Sequence, residues 1–542
     1  MKGAQALDKS KTLKRVFGHE GFRDGQEVIV DEILGGCDVL AVMPTGAGKS
    51  ICYQLPALMM EGITIVISPL ISLMKDQVMA LKASGVAAAY INSSLTVWQQ
   101  GEAIRRAAMG AYKIIYVAPE RLDAIGFVKF AQEADISLIA VDEAHCVSQW
   151  GQDFRPSYVR IAAFVSSLPK RPPIAAFTAT ATKHVKHDIA KMLDLNEPYQ
   201  ICTGYNRPNL HFSVVKPTSK LTYLQYFLDK YPDESGIIYC STRKCVEDVT
   251  AQLNGRGMSA LSYHAGMPVE LRQRNQEDFQ FDRARILVAT NAFGMGIDKS
   301  NVRYVVHYNM PMNVESYYQE AGRAGRDGEP AECLLLYSGQ DIYTAKWLID
   351  KSKEESELTP VQRDAIHDRD MQRLKEITYY ANNKTCLRNF ILNYFGEFHE
   401  NEQCGYCSRC DGDEFEIDNG ISYTPKNHIL RAIDDAEREA EKHQRKIQRK
   451  KDKLNFSSWE MALLDNLKML RSLLAARKRA PAYTIFSDAS LHDMVRKKPT
   501  TLDDFLDVSG VGTAKQERYG KMFLAIIREG KEPNEVLDEF YE

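Results

Sequence analysis

Between about residues 36 and 340 the chain alternates short apolar runs with stretches of helical periodicity. DVLAVM (38–43), ITIVIS (63–68), KIIYVA (113–118), SLIAVD (137–142) and PIAAFT (173–178) make one series. GIIYCS (236–241), RILVAT (285–290) and VRYVVHYN (302–309) make a second. The runs are apolar at successive rather than alternate positions. A strand buried on both faces needs that pattern, and the helices between the runs would cover those faces. The pattern predicts two α/β lobes with parallel sheets, residues 1–204 and 205–340, joined at GYNRPNLHF (204–212). Residues 341–412 show helical periodicity ending in a cysteine cluster. Residues 413–455 read as a charged linker helix whose later part, KHQRKIQRKKDK (442–453), is strongly basic. Residues 456–535 read as a small all-α bundle.

Composition changes this picture little. The chain has 542 residues, 44% hydrophobic and 26% charged, which suits a multidomain globular protein. With a net charge of −3, any contact with nucleic acid has to use local basic patches. The N-terminal stretch MKGAQALDKSKTLKR has no apolar signal segment, and no apolar run approaches the roughly 20 residues that cross a bilayer. A cytoplasmic protein with no membrane partner is expected. Seven of the eleven cysteines (37, 52, 146, 202, 240, 245 and 333) are scattered, as expected of thiols in a reducing compartment.

Three motifs carry chemistry. MPTGAGKS (43–50) follows an apolar strand and precedes a helical pattern, the context of a phosphate-binding loop. There Gly46 and Gly48 would let backbone N–H groups close on phosphates, with Lys49 as a point charge and the Ser50 hydroxyl on Mg²⁺. Met43 stands where the general pattern has glycine. DEAH (142–145) follows SLIAV, about 90 residues after the GKS. Asp142 and Glu143 then lie at the C-terminal end of a strand, where α/β sheets bind ligands. Asp142 is suited to hold Mg²⁺ through water, and Glu143 to activate the attacking water. In QEAGRAGRDG (319–328), Arg323 and Arg326 are spaced to share a helix face and to stabilise charge on a transferring phosphoryl group.

These motifs and their order resemble the RecQ family of superfamily 2 DNA helicases. The matching stretches are FGHEGFRDGQ (17–26), MPTGAGKS, SPLISLMKDQ (68–77), YVAPERL (116–122), DEAHCVSQWGQDFRP (142–156), TATAT (178–182), IIYCSTR (237–243), YHAG (263–266), ATNAFGMGIDK (289–299) and QEAGRAGRDG. The resemblance implies two RecA-like lobes with Thr45 and the rest of the loop on ATP, Gln26 reading adenine, Arg23 supporting it, and Gly296 and Asp298 lining the cleft from the second lobe. His19 stands where the family has Tyr, so any base stacking there uses a smaller ring that titrates near neutrality. Thr178 and Thr180 would link nucleotide state to DNA grip, and SPLISLMKDQ, YVAPERL and YHAG, with His264, would track a single strand. In CVSQWGQDFRP (146–156), Trp150 and Phe154 are expected to stack on an unpaired base, and Arg155 to meet a phosphate or the opposite lobe. Gln152 stands where the family has His, which implies weaker or less pH-sensitive coupling.

Cys404, Cys407 and Cys410 are separated by two-residue gaps, with Cys386 upstream. Four thiolates suit tetrahedral Zn²⁺; a disulfide pair and an iron–sulfur cluster are the alternatives. The family carries a structural zinc site at this place, which favours zinc. One departure follows. Only 48 residues separate Cys410 from Trp459, too few for the winged-helix domain that family members often carry there. The basic stretch 442–453 would meet phosphates or be a solvated linker. Residues 481–520 resemble an HRDC domain, with Gly510 and Gly512 forming a turn whose N–H groups could meet a phosphate. The resemblance thus implies a monomeric, nucleoid-associated, ATP- and Mg²⁺-dependent 3′–5′ helicase acting on single-stranded, tailed or branched DNA in recombination and repair. A single-strand-binding protein or another repair protein is the expected protein partner. The alternative is a DNA-stimulated ATPase, translocase or annealing protein that unwinds weakly. An RNA-dependent ATPase and a non-hydrolysing clamp are more distant rivals.

Overall fold

A computed structural model describes residues 8–151, 153–293, 299–355, 360–398, 403–411, 456–478 and 480–540. Gln152, Gly296, Asp298 and the linker helix at 413–455 lie outside the described residues. In the first lobe seven strands form one parallel sheet: β1 (Val39–Val42), β2 (Ile63–Ile67), β3 (Ala88–Ile91), β4 (Ile114–Val117), β5 (Ile136–Val141), β6 (Ile174–Thr178) and β7 (Tyr199–Cys202). Their order is β3-β4-β2-β5-β6-β1-β7. The central strands are sealed on both faces, each such side chain contributing about 1.5–3 kcal/mol on burial. This is why they read as continuous apolar runs. The order sets β5, β6 and β1 side by side, so the loops leaving their C-terminal ends share one rim of the sheet.

The second sheet is also parallel, ordered β10-β11-β9-β12-β13-β8. Its strands are β8 (Leu210–Val215), β9 (Ser235–Tyr239), β10 (Ala260–Tyr263), β11 (Ile286–Ala289), β12 (Val302–His307) and β13 (Ala331–Leu336). Eight of these thirteen strands answer the apolar runs; β3, β7, β8, β10 and β13 do not. β3, β7, β8 and β10 lie at or next to sheet edges, where polar positions are tolerated; Tyr199, Gln200 and Cys202 of β7 are exposed.

Helices Gly339–Glu355, Pro360–Asn382 and Leu387–Tyr394 carry the chain to the cysteines. Cys407 bridges to Phe212 of β8, so the cysteine module is attached to the second sheet. The C-terminal helices, from Ser458–Lys478 to Pro533–Phe540, enclose their own core around Leu467, Phe486, Phe505 and Phe523. Thr501 and Asp504 form a capping box at the start of the helix Leu502–Leu506. This bundle sits on the first lobe. The Gly510 N–H donates to the Gly18 carbonyl at 2.6 Å, and Lys14 pairs with Asp507 at 3.3 Å. A Cβ at Gly512 would lie 2.7 Å from the Arg15 and Val16 carbonyl oxygens. The Gly510–Gly512 turn is therefore packed on protein. Its expected role as an open phosphate contact is corrected: close backbone approach to lobe 1 is what the glycines provide.

Candidate active site

The phosphate loop leaves β1 and turns at Gly46 and Gly48, both left-handed at φ +82°. A Cβ at Gly48 would meet the Gln26 Nε2 at 2.6 Å. Met43 needs no such freedom: it is buried in the core, and its N–H continues the ladder to the Thr178 carbonyl at 2.9 Å. This explains why glycine is dispensable there. Lys49 opens the helix Lys49–Met59, which places Ser50 in its first turn, and the Lys49 Nζ donates to the Met43 carbonyl at 3.2 Å. Burial lowers the Lys49 pKa, and Glu143 and Asp142 oppose that shift.

Asp142 and Glu143 stand on the same rim, at the end of β5. Burial, and then Glu143 beside it, push the Asp142 carboxyl well above the usual carboxylate range. Glu143 is held in the left-handed region at φ 49°, a strained conformation for a non-glycine residue. Its buried Oε2 has no hydrogen-bond partner and lies 3.3 Å from the His145 Nδ1. A buried acid beside a second, largely enclosed one with an orphaned oxygen fits a divalent cation and a water. His145 is the residue the motif reading passed over. Its Nδ1 is 2.9 Å from the Thr178 Oγ1, which also donates to the Thr180 carbonyl at 3.1 Å. The acids and the TATAT segment are thereby joined. Burial lowers the His145 pKa, and Glu143 beside it opposes that shift.

From the second lobe, the Gly322–Gly328 turn reaches the phosphate loop. The Thr45 hydroxyl donates to the Gly322 carbonyl at 2.9 Å, and a Cβ at Gly322 would strike that hydroxyl at 2.2 Å. Arg323 is 3% exposed, and its Nε and Nη1 have no hydrogen-bond partner. The Arg326 Cα lies 3.6 Å from where a Gly46 Cβ would be. Between loop and turn sits Arg207, which sequence reasoning missed, because nearly all its partners are backbone carbonyls of both lobes.

Of the other expected residues, Arg23 supports Gln26 and Trp150 is partly exposed, while His264 and Arg155 are placed differently. The Gln26 amide donates to the Ala47 and Gly48 carbonyls at 3.1 Å each, and its oxygen accepts from the Arg23 N–H at 2.8 Å. Arg23 donates to the Gly46 carbonyl at 2.6 Å. Both residues brace the loop. Burial, with Arg23 and Lys515 beside it, pushes His19 down to about 4, so the expected titration near neutrality is corrected. His264 is buried, with its Nε2 3.3 Å from the Glu247 carboxylate, and presents no open face to a strand. Arg155 does not reach the other lobe: it pairs with Asp153 at 3.0 Å and donates to the Pro69 carbonyl at 3.0 Å. Trp150 is 43% exposed and leans on His184 at 5.1 Å, and Phe154 is half-buried. Arg369 and Arg373, on the helix Pro360–Asn382, donate to carbonyls at 149–151 and hold this loop from the cysteine module.

The sulfurs of Cys386, Cys404, Cys407 and Cys410 all lie within 4.8 Å of one another, with Cys404 to Cys410 at 3.9 Å and Cys407 to Cys386 at 4.0 Å. A tetrahedron with metal–sulfur distances near ~2.3 Å has edges of about 3.8 Å, so the set fits Zn²⁺. Against the effect of burial, backbone N–H groups from Leu387, Cys410 and Arg409 bring Cys407 down to about 7, toward the thiolate a metal requires.

Residues 23–188 match the DEAD/DEAH box helicase family, 219–328 the helicase conserved C-terminal domain, 339–411 the RecQ zinc-binding family and 460–527 the HRDC domain. The ATP-dependent DNA helicase RecQ of Bacillus subtilis is 37% identical, covering 95% of this chain and 98% of that protein. RecQ of Haemophilus influenzae is 35% identical, covering 96% and 95%. The Bacillus alignment spans 586 positions, more than the 542 residues here, so that relative carries residues without a counterpart in this chain. Among solved structures, Mycobacterium smegmatis Lhr bound to ssDNA and AMP-PNP (TM-score 0.51, 18% identity, 66% of this chain and 56% of that one) shares the fold. So does Mss116p bound to ssRNA and AMP-PNP (TM-score 0.54, 16% identity, 72% and 89%). Two RecA-like lobes, a four-cysteine zinc module and an HRDC bundle follow one another along the chain, and the chain belongs to the RecQ family of ATP-hydrolysing DNA helicases.

Proposed function

We propose that ATP binds with Mg²⁺ between the Met43–Ser50 loop and the Arg323–Arg326 turn, and that its hydrolysis drives 3′–5′ movement on single-stranded DNA and duplex unwinding in recombination and repair. The observation that carries this reading is the convergence of the loop, the Asp142–Glu143 pair and the arginine turn on one cleft, bridged by the 2.9 Å bond from Thr45 to Gly322. Backbone N–H groups of the loop and the first turn of the helix Lys49–Met59 hold the phosphates, and Lys49 places its charge on the β- and γ-oxygens. Glu143, with its unpaired Oε2, orients the attacking water and takes its proton. Arg326 and Arg323 stabilise the charge that develops on the transferred phosphoryl group. Ser50 and Asp142 would hold Mg²⁺, which supplies neutralisation of the phosphate charge. The acids and arginines lie on different lobes, so hydrolysis requires closure, and closure moves whatever strand the lobes grip. The contact between His145 and Thr178 gives the acid segment a direct link to the TATAT segment. Trp150 and Phe154 stack on unpaired bases, on a loop held at its backbone. The AMP-PNP and ssDNA in Lhr support this assignment of ligands. Action as a cytoplasmic, nucleoid-associated monomer that meets a single-strand-binding protein or another repair protein belongs to the same reading.

A second reading has its own observation. The 48 residues between Cys410 and Trp459 leave no room for a winged-helix domain, which favours a DNA-stimulated translocase or annealing protein that unwinds weakly. Strand displacement on a 3′-tailed duplex, measured beside DNA-stimulated ATPase, separates the two. Displacement that keeps pace with hydrolysis and vanishes on a 5′-tailed duplex supports the first reading. Robust hydrolysis without displacement supports the second. A Lys49→Ala protein that still hydrolyses ATP overturns the site assignment in both.

A further inference from the structure

Arg207 comes from GYNRPNL, the crossing between the lobes, and its guanidinium is shared by both. Nη1 donates to the Thr45 carbonyl at 2.6 Å, the Thr45 hydroxyl at 3.2 Å and the Gly322 carbonyl at 3.3 Å. Nη2 donates to the Ala324 carbonyl at 3.0 Å and the Gly325 carbonyl at 2.8 Å. All five acceptors are neutral. Two belong to the phosphate loop and three to the turn that carries Arg323 and Arg326. The residue is 8% exposed, and no carboxylate lies within ion-pair distance of it among the described residues. A buried charge without a counter-ion is costly unless an anion answers it. The shortest contact with the phosphate loop is the one to the Thr45 carbonyl, and at the neighbouring Gly46 a Cβ would be 3.5 Å from Nη1. Burial lowers the Arg207 pKa, and Arg326 adds to the effect, which places the two cations in the same neighbourhood.

The crossing is itself anchored. Arg388, two residues after the zinc ligand Cys386, donates to the Asn206 side chain at 3.0 Å and to the carbonyls of Arg207, Leu210 and Tyr406. Tyr406 lies between Cys404 and Cys407. The backbone from which Arg207 projects is thereby fixed by the cysteine module, while its side chain is fixed by the nucleotide cleft.

We propose that Arg207 is a positioning residue for ATP hydrolysis: its fork sets the phosphate loop against the arginine turn, and its charge contributes to holding the triphosphate. This rests on the ATP-site reading above. The fork and the charge make separable demands. A planar guanidinium reaches acceptors on two sides at once, whereas an ammonium supplies charge without that span. Lysine should therefore keep ATP binding and lose turnover, and glutamine should lose both.

The test uses the full-length protein as Arg207→Lys and Arg207→Gln, each checked for melting temperature and zinc content. ATPase is measured against ATP concentration at saturating single-stranded DNA, and lobe closure on AMP-PNP is followed by fluorescence energy transfer between dyes on the two lobes. Expected for Arg207→Lys is a KM for ATP within about threefold of the parent, with kcat down about tenfold or more and closure impaired. Arg207→Gln should in addition raise KM by about tenfold. DNA affinity without nucleotide should be unchanged in both. If both variants keep kcat and KM within about twofold while Lys49→Ala is inactive, this inference fails and the ATP site stands. If Lys49→Ala is also active, the ATP-site reading itself fails. Should Arg207→Gln unfold, Arg207→Lys decides alone. Loss of the fold even in Arg207→Lys assigns the residue to architecture and overturns the inference.

Discussion

Replacing Trp150 with alanine is the sharpest test of the proposed coupling between DNA and the Asp142–Glu143 pair. The structure sets the expected cost on each side. For folding, the ring is 43% exposed and makes one tilted aromatic contact, with His184 at 5.1 Å, so its removal should cost no more than about 1–2 kcal/mol. The loop backbone does not depend on the ring. The Gly151 N–H donates to the Ser148 carbonyl at 2.9 Å, Arg369 and Arg373 hold the carbonyls at 149–151, and the Trp150 N–H donates to the Ser148 hydroxyl at 3.1 Å. For function, one lost base stack is worth about 1–3 kcal/mol, a roughly 5- to 150-fold rise in the DNA concentration that half-activates the ATPase. The assay is steady-state ATPase titrated with single-stranded DNA, beside the DNA-free rate, the KM for ATP and a thermal melt. The DNA-free rate and KM should hold while activation collapses, and Trp150→Phe should fall between parent and alanine. A folded Trp150→Ala protein whose half-activating DNA concentration and maximal stimulation stay within about twofold of the parent would refute the coupling and leave the ring as packing.

Three further outcomes are expected. Cys407→Ser removes one of four clustered thiols, so bound zinc, measured by atomic emission, should fall from about one per chain toward zero with loss of soluble protein; a stable, zinc-loaded variant would contradict the site. The Asp38 carboxylate is buried and accepts from the Ile174 N–H at 2.8 Å, the Asn196 N–H at 2.7 Å and the Arg171 Nη2 at 2.6 Å. Asp38→Asn should cost about 2–4 kcal/mol in denaturant unfolding, and a loss below about 0.5 kcal/mol would show these bonds to be dispensable. His19, held down to about 4 against an ordinary value of 6.5, gives the unfolded chain more bound protons between those two pH values. Stability should therefore fall as the pH drops from 6.5 toward 4, and His19→Phe should flatten part of that slope. Parallel slopes in parent and variant would mean that the ring is not buried neutral.

Legibility followed a physical division. Central strands such as β1 and β6 were readable because burial on both faces forces unbroken apolar runs. Edge strands such as β7, with exposed Tyr199, Gln200 and Cys202, and β10 escaped because one face or edge meets solvent. In the site, the placement of Gly46, Gly48, Lys49, Asp142 and Glu143 was readable because each lies in a short loop directly after an apolar strand. His145 was hidden in plain view: its role depends on a hydroxyl 33 positions away. Arg207, Arg373 and Arg388 left no motif, since most of what they bind is backbone carbonyl, which every residue carries.

By itself, the order of strands and motifs determined the two α/β lobes, the phosphate loop, the acid pair, the arginine turn and the four-cysteine set, because each is a short local pattern imposed by burial or by ligand chemistry. Tertiary structure decided the rest. The sheet order β5-β6-β1 placed acids, TATAT segment and phosphate loop on one rim. Packing turned the Gly510–Gly512 turn from an open surface into a seam against Gly18, and drove His19 out of its ordinary titration range. It also set one uncompensated guanidinium, Arg207, across the cleft between the lobes. Those outcomes depend on distances between segments far apart in the chain, and only the folded backbone fixes such distances.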